Sequence, residues 1–300
     1  MGRFTRLSRC RRVATAIGAV VLSIAMGGIA VAATAGPAIQ TITPQKASQM
    51  TNIDVLRQQI KNYYGAPMAV AGTGSSATWM DPLNLESNYA RETESVAAEG
   101  EHWLAAQAHA QKPSGTKAIV LDVDDTTLAT WNYELYSNWD YNPTTNTNFV
   151  MGDLFPAVPG MVGLVTEAQA EGYQVIYITG RPTSQEAATV GNLTGVGLSA
   201  GALGQPGIDA GYPDLVNLSN GQDPLFTKPD LTDPSYPQYL KDACGVGVKC
   251  STIQYKSATR AYIESLGYDI VADFGDQYSD LVGGYADRTF KLPNPSYYLP

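Results

Sequence analysis

Three aspartates lie within four residues directly after a short apolar run. Asp122, Asp124 and Asp125 follow residues 118–121, a run rich in β-branched side chains that is typical of a strand buried on both faces of a parallel sheet. A straight strand would place Asp122 and Asp124 on one face, although the chain already turns where a strand ends. Carboxylates at the edge of a core are costly unless a cation lies among them. The pattern therefore favours a bound metal ion.

Two other interpretations of this acidic turn can be compared with the sequence, and the first does not fit it. A calcium loop requires an acid or amide at its fifth position, glycine at its sixth and glutamate at its twelfth, where this chain has Thr126, Thr127 and Tyr133. An acidic turn that only caps a following helix is compatible with residues 117–128. The later parts of the chain disfavour it.

Further polar residues follow later apolar segments. Strands predicted at 173–178 and 268–272 end in polar residues, and a helix predicted over 253–266 carries a lysine in its first turn. The residues at these positions are Thr179, Gly180, Arg181, Lys256, Asp276 and Asp280. The carboxyl ends of parallel strands meet at one edge of a sheet. Carboxylates with a hydroxyl and an amine suit Mg²⁺ and a phosphate, so the sequence predicts a phosphoryl-transfer site with Mg²⁺ as cofactor.

The elements that must position these residues alternate between strands and helices. Helices are predicted over residues 45–64, 84–111, 161–171, 183–193 and 253–266, and strands over 118–123, 173–178, 215–218, 268–272 and 288–292. This alternation predicts an α/β fold with a mostly parallel sheet and helices on both faces. The aromatic-rich residues 129–160 are expected to form an inserted flap rather than a core helix or strand. Packing on itself at the surface and shaping a substrate pocket are both open roles for it.

The amino terminus predicts export. Five arginines lie in the first twelve residues, and an uncharged apolar stretch ending in small residues follows at 13–35. This arrangement is typical of a cleaved secretory signal, with an uncleaved membrane anchor as the alternative because the stretch is long enough to span a bilayer. We therefore expect a signal at 1–35, a helical extension at 36–115 and a catalytic core at 116–300 in a secreted or extracytoplasmic protein.

Charge and histidine content exclude several functions. Loss of the five arginines would change the formal charge from −9 to −14, which disfavours binding to nucleic acid polymers or anionic membranes. The two histidines, His102 and His109, lie seven residues apart on one predicted helix. They cannot build a histidine-nucleophile phosphatase or a histidine-rich dimetal centre, and the chain lacks the motif of a Ser-His-Asp hydrolase.

The cysteines are expected to have a structural role rather than a catalytic one. Cys244 and Cys250 are the only pair left beyond the leader, and they flank a loop with two glycines. In an exported protein this spacing predicts a disulfide. A cysteine phosphatase would need arginine six residues after its nucleophile, and that position holds Cys250.

Four separated motifs resemble those of the haloacid dehalogenase (HAD) superfamily, in the same order. They are D-V-D-D-T at 122–126, I-T-G-R at 178–181, Lys256 in Y-K-S-A-T-R, and G-D-Q-Y-S-D at 275–280. The run around the fourth motif and the ending F-K-L-P-N-P-S-Y-Y are similar to the secreted acid phosphatases of that superfamily, including class B-like enzymes, plant acid phosphatases and vegetative storage proteins. The resemblance extends from about residue 84 to the end and implies a HAD-like, Rossmann-type three-layer sandwich.

The resemblance also implies a role for each motif residue. Asp122 is expected to attack the phosphomonoester and form an aspartyl-phosphate, while Asp124 protonates the leaving group and then activates water. The phosphoryl group is expected to bind Thr179, Gly180, Arg181 and Lys256. The expected Mg²⁺ ligands are Asp122, the backbone carbonyl of Asp124, and Asp276, with Asp280 acting through a metal-bound water or by orienting Lys256.

The resulting expectation is a secreted, Mg²⁺-dependent acid phosphatase with small phosphomonoester substrates. A storage or binding protein that has lost catalysis on the same fold is the alternative from another class. A 5′-nucleotidase or phosphotransferase is a narrower variant of the enzyme. The intact nucleophile position at Asp122 favours the enzyme.

Overall fold

Five parallel strands form one sheet in a computed structural model, which describes residues 43–65, 83–108 and 115–299. The strands are β1 (Thr116–Leu121), β2 (Gln174–Pro182), β3 (Leu225–Lys228), β4 (Tyr268–Gly275) and β5 (Thr289–Lys291). Their order in the sheet is β3-β2-β1-β4-β5, and every neighbouring pair is parallel. The predicted α/β fold with a parallel sheet is confirmed.

Both faces of the sheet are buried, as the apolar run of β1 predicts. Ile119 and Leu121 join one hydrophobic cluster, whereas Ala118 and Val120 join a second. Successive side chains of a strand point to opposite faces, so the two clusters lie on opposite sides of the sheet. An unbroken apolar run is required when water reaches neither face.

Helices cover both faces. They are α1 (Ile53–Tyr64), α2 (Asn88–Ala108), α3 (Trp131–Ser137), α4 (Pro143–Met151), α5 (Met161–Ala170), α6 (Glu186–Thr194), α7 (Gln238–Cys244), α8 (Thr252–Ser265) and α9 (Tyr278–Leu281). Helices α2 and α5 pack together on one face, with α5 against β2, and α7 packs against α8, which contacts β2 and β4. The layers are therefore helix, sheet and helix.

The aromatic segment after β1 differs from the expected flap. It folds into α3 and α4, and Trp131, Tyr133 and Phe149 are buried in the same cluster as Leu121. Their rings pack because burial of aromatic area is strongly stabilising, and a flap would have left that area in water. The prediction that this segment forms a flap rather than a core helix or strand is therefore wrong.

Other boundaries also differ from expectation. Residues 215–218 do not form a strand, because the Leu218 amide donates to the Gln222 carbonyl in a turn, and the edge strand is β3 instead. The helix expected over 84–111 is α2, and its last predicted residues, with His109, lie outside the described residues. The expected signal at 1–35 lies outside them too. Among the described helices, none has the length and hydropathy needed to cross a bilayer.

Candidate active site

Asp122 lies at the carboxyl end of β1 and continues its pairing. Its amide donates to the carbonyl of Phe274 in β4 over 3.0 Å, so the backbone is still held by the sheet where the carboxylate begins. The residue is 8% exposed. Burial raises the pKa of Asp122 to about 7, while the neighbouring Lys256 ammonium lowers it. A carboxylate in this position is rigidly held and poorly hydrated.

Lys256 bridges two of the predicted aspartates. Its Nζ donates to Asp122 Oδ1 and, over 2.7 Å, to Asp280 Oδ1. Helix α8 presents the lysine from one turn inside its first residue, where Ser251 and Gln254 form a capping box. Burial lowers the pKa of Lys256, but the two carboxylates outweigh it, so the pKa lies above its ordinary value and the ammonium stays charged. Asp280 therefore contacts Lys256, as one of its two expected roles requires.

Asp276 completes a cluster of three buried carboxylates. Ligand atoms of Asp122, Asp276 and Asp280 lie within 4.8 Å of one another. Burial, and then repulsion from Asp280 and Asp122, raises the pKa of Asp276 well above its ordinary range. When all three carboxylates are ionised, they exceed the single ammonium of Lys256 by two negative charges, and the possible ligand atoms are all oxygens. This set fits one hard divalent cation.

The second motif lies beside the first because β2 pairs with β1. Thr179 is fully buried, and its Oγ1 accepts from the Arg181 amide over 3.1 Å, while Gly180 is exposed. The Arg181 guanidinium binds the Asp124 carboxylate, with Nη2 to Oδ1 at 2.7 Å and Nε to Oδ2 at 3.1 Å. The structure thus brings Arg181 to the predicted acid–base residue, and the Asp124 side chain lies outside the three-carboxylate cluster.

The third aspartate of the first motif has a different position. Asp125 adopts a positive φ of 55° and is 2% exposed. Its carboxylate accepts from the Thr130 amide at 2.9 Å, from the Thr130 hydroxyl at 2.6 Å and from the Tyr297 hydroxyl. Burial raises the pKa of Asp125 to about 6, although the hydrogen bonds from these donors lower it. Asp125 therefore anchors the loop instead of joining the cluster.

Two motif residues to which the sequence analysis gave no role, Arg260 and Gly275, hold the fourth motif in place. Arg260 is 1% exposed, pairs with Asp273 at 2.9 Å, and donates to the carbonyls of Asp280, Val282 (2.6 Å) and Gly284 (2.9 Å). It follows Lys256 by four residues, so the helical spacing already places both on one face. A Cβ added to Gly275 would lie 2.4 Å from Cβ of Asp280, so only glycine fits.

The predicted disulfide is present. Cys244 and Cys250 are bonded, and they lie at the end of α7 and just before α8. The bridge closes the loop that leads into the helix carrying Lys256. It therefore ties the start of that helix to its neighbour.

Known proteins resemble this chain in sequence. Residues 42–205 and 240–300 match the family model of the HAD superfamily, subfamily IIIB (acid phosphatase). The chain is 30% identical to the stem 28 kDa glycoprotein of Glycine max, over 60% of this chain and 59% of that one, and 27% identical to vegetative storage protein 1 of Arabidopsis thaliana, over 73% and 68%. It is 28% identical to acid phosphatase 1 of Solanum lycopersicum, over 62% and 60%.

The sequence similarity covers only part of the length of these relatives, and a solved structure is also similar to the chain. The chain spans less than two thirds of the Glycine max and Solanum lycopersicum relatives. The class C acid phosphatase of Bacillus anthracis is 21% identical, with a TM-score of 0.45 over 69% of this chain and 80% of that one. Because the family model matches more than half of the residues and includes all four motifs, the chain belongs to the HAD superfamily, subfamily IIIB (acid phosphatase).

Proposed function

We propose that this protein is a Mg²⁺-dependent phosphomonoesterase that acts outside the cytoplasm through an aspartyl-phosphate on Asp122. The observation that carries the proposal is the buried contact of Asp122 with Lys256, beside Asp276 and Asp280. A carboxylate, a fixed ammonium group and a set of oxygen donors close together support this proposal, because an aspartyl-phosphate mechanism requires all three. Small phosphomonoesters are the proposed substrates.

Charge is the main obstacle to this reaction. A carboxylate and a phosphate oxygen 4 Å apart repel by roughly 4 kcal/mol at an effective dielectric of about 20. The Lys256 ammonium lies against Asp122 and offsets part of this repulsion. A divalent cation held by Asp122 and Asp276, with Asp280 nearby and the Asp124 carbonyl as a further ligand, would supply two more positive charges.

The reaction then proceeds in two balanced steps. A carboxylate oxygen of Asp122 forms a bond to phosphorus while the bond from phosphorus to the ester oxygen breaks, and Asp124 gives that oxygen its proton. Water next attacks the phosphorus, Asp124 takes a proton from it, and the bond to Asp122 breaks to release phosphate. The pair with Arg181 holds the Asp124 carboxyl group in one orientation for both proton transfers. Thr179 and Lys256 are the proposed partners of the transferring oxygens.

Asp122→Asn tests this function. The variant should lose turnover of a chromogenic phosphomonoester by at least about 1000-fold while its circular dichroism spectrum stays that of the wild type. Asp230→Asn, which changes an exposed aspartate, is the matched control and should keep full activity. EDTA should abolish wild-type activity and Mg²⁺ should restore it. Activity in Asp122→Asn, or activity indifferent to EDTA, contradicts the proposal.

A storage protein without catalysis is the second candidate, because two of the similar proteins are named vegetative storage proteins. Such a protein would form no phosphoenzyme when mixed with substrate and quenched in acid, even with Mg²⁺ present. The enzyme would form one, and mass analysis would locate it on Asp122. A panel of nucleotides, sugar phosphates and acceptor alcohols separates a general phosphatase from a 5′-nucleotidase or a phosphotransferase. Export is proposed from the leader pattern and from the disulfide.

A further inference from the structure

The segment after β5 returns to the carboxylate cluster. The Leu292 amide donates a hydrogen bond of 2.9 Å to the Gly275 carbonyl, which extends the pairing of β5 with β4. Two residues later, Nδ2 of Asn294 lies 2.7 Å from Oδ2 of Asp276 and 3.4 Å from Oδ2 of Asp125. One amide group therefore contacts a carboxylate of the cluster and the carboxylate that anchors the first motif.

The orientation of this amide is fixed by its own backbone. Oδ1 of Asn294 accepts from the amides of Ser296 at 2.9 Å and Tyr297 at 3.4 Å. An Asx turn of this kind uses the oxygen, so the nitrogen is the atom that faces the carboxylates. Tyr297 in turn donates its hydroxyl to Asp125. Hydrogen bonds therefore hold both the oxygen and the nitrogen of the Asn294 side chain.

The two oxygens of Asp276 differ in their contacts. Oδ2 accepts from Asn294 and, over 2.6 Å, from Nε2 of Gln277. Gln277 is itself held by the carboxy-terminal segment, since its Oε1 accepts from the Leu299 amide at 2.9 Å. Within the described residues, the hydrogen bond to Oδ1 is the longer one, 3.4 Å from the Thr126 hydroxyl. Two neutral donors therefore fix one oxygen and leave the other with a weak partner.

We propose that Asn294 is a positioning residue for Asp276 in the divalent cation site, and that the carboxy-terminal segment 292–299 is a structural part of that site. This inference rests on the proposed function, which places a cation at the cluster. A carboxylate whose rotation is blocked by neighbouring donors loses less freedom on binding a cation. Partners of this kind typically change metal affinity by about 10- to 100-fold when they are removed.

Asn294→Leu tests the inference, because leucine has a similar size but no donor or acceptor. Asn142→Leu is the matched control, since Oδ1 of Asn142 also accepts from two backbone amides, those of Thr144 and Thr145, at the start of α4. Calorimetric titration with Mg²⁺ alone gives the dissociation constant for each protein, and thermal melting without Mg²⁺ gives its stability. Asn294→Ser is a milder variant, because serine keeps a side-chain oxygen for the turn and removes the amide nitrogen.

The expected result is a Mg²⁺ dissociation constant at least about tenfold higher in Asn294→Leu and Asn294→Ser than in wild type and Asn142→Leu. If Asn294→Leu does not fold, Asn294→Ser decides the question. Wild-type affinity in a folded Asn294 variant overturns the positioning role while leaving the proposed function intact. Absence of Mg²⁺ binding in the wild type overturns both.

Discussion

The guanidinium group of Arg181 binds both oxygens of the Asp124 carboxylate, with Nε 3.2 Å from Oδ1 and 3.1 Å from Oδ2. Arg181 is itself fixed, because Nη1 donates to Thr189 at 3.0 Å and its guanidinium carbon lies 5.4 Å from the centre of the Phe155 ring. The contact joins the ends of β1 and β2. It gives Arg181 a second role beside the predicted one of binding substrate.

Arg181→Lys should therefore lower kcat more than it raises KM. A lysine ammonium cannot bind a carboxylate as a planar fork, so Asp124 loses its fixed orientation, and the loss in kcat is up to about 100-fold. Steady-state kinetics together with inhibition by inorganic phosphate measure the two effects. Arg288→Lys, at an exposed pair with Glu99, is the control. Weakened phosphate inhibition at unchanged kcat would instead assign Arg181 to substrate binding alone.

Asp124→Asn should slow esters with poor leaving groups far more than a nitrophenyl ester. An alkoxide requires a proton to depart, whereas nitrophenolate requires little. Rapid-quench measurement of phosphoenzyme formation isolates this first step from hydrolysis, which the same substitution also impairs. The difference between the two esters should reach about 100-fold. Equal losses would remove Asp124 from the role of acid.

The stability of the protein should fall as pH rises from about 4.5 to about 8 because of Glu134. Burial, and then repulsion from Asp125, raises the pKa of this carboxyl from 4.5 to about 8. The unfolded chain loses the proton near pH 4.5 while the folded chain retains it, so the stabilisation is complete below pH 4.5 and lost towards pH 8. Each pKa unit corresponds to about 1.4 kcal/mol.

Glu134→Gln removes this dependence, because a glutamine is neutral throughout. Urea unfolding at pH 5 and pH 8 measures the change in both proteins. Relative to wild type, the variant should have a higher free energy of unfolding at pH 8 but not at pH 5. Glu171→Gln, at an exposed position, should have the same free energy of unfolding as the wild type at both pH values. Parallel curves for Glu134→Gln and wild type would show that Glu134 titrates normally.

Arg260→Met should destabilise the protein by about 3–5 kcal/mol. The substitution leaves Asp273 as a buried, unpaired carboxylate and frees the carbonyls of the loop that carries Asp280. Urea unfolding measures the loss. Arg91→Met, where the arginine is exposed and donates to the Asn88 side chain, should change the free energy of unfolding by less than about 0.5 kcal/mol. A similar small change at Arg260 would contradict the anchoring role.

Tyr64→Ala should cost about 3–5 kcal/mol of stability. The ring is 2% exposed and stacks between Trp131, at a centroid distance of 4.0 Å, and Tyr89, at 4.2 Å. Removing it takes away the apolar contact that holds α1 against α3. Tyr63→Ala, at the neighbouring half-buried position, should cost less. Unfolding in urea compares the two, and equal losses would mean that α1 contributes no specific packing through Tyr64.

The order of the motifs and the parallel sheet follow from local sequence. The apolar runs of β1 and β4, with Asp122 and Asp276 after them, were identifiable from local sequence. This works because burial on both faces forces an apolar strand, and because strand ends meet at one edge. The edge strand β3 was not predicted, and Lys256 received its role only from the resemblance, because it lies in a helix. The disulfide was predictable because Cys244 and Cys250 are the only cysteines after the expected leader and a short loop separates them.

Contacts between distant segments were decided only by the tertiary structure. The spacing of Asp122, Asp124 and Asp125 does not reveal that they face Lys256, Arg181 and Thr130, because the chain turns between them and each direction depends on a different neighbour. The aromatic segment 129–160 has no clear period, so its burial depends on the space left beside the sheet. Asn294 is 18 residues from Asp276 in the chain, and only the pairing of β5 with β4 brings its amide to the carboxylate.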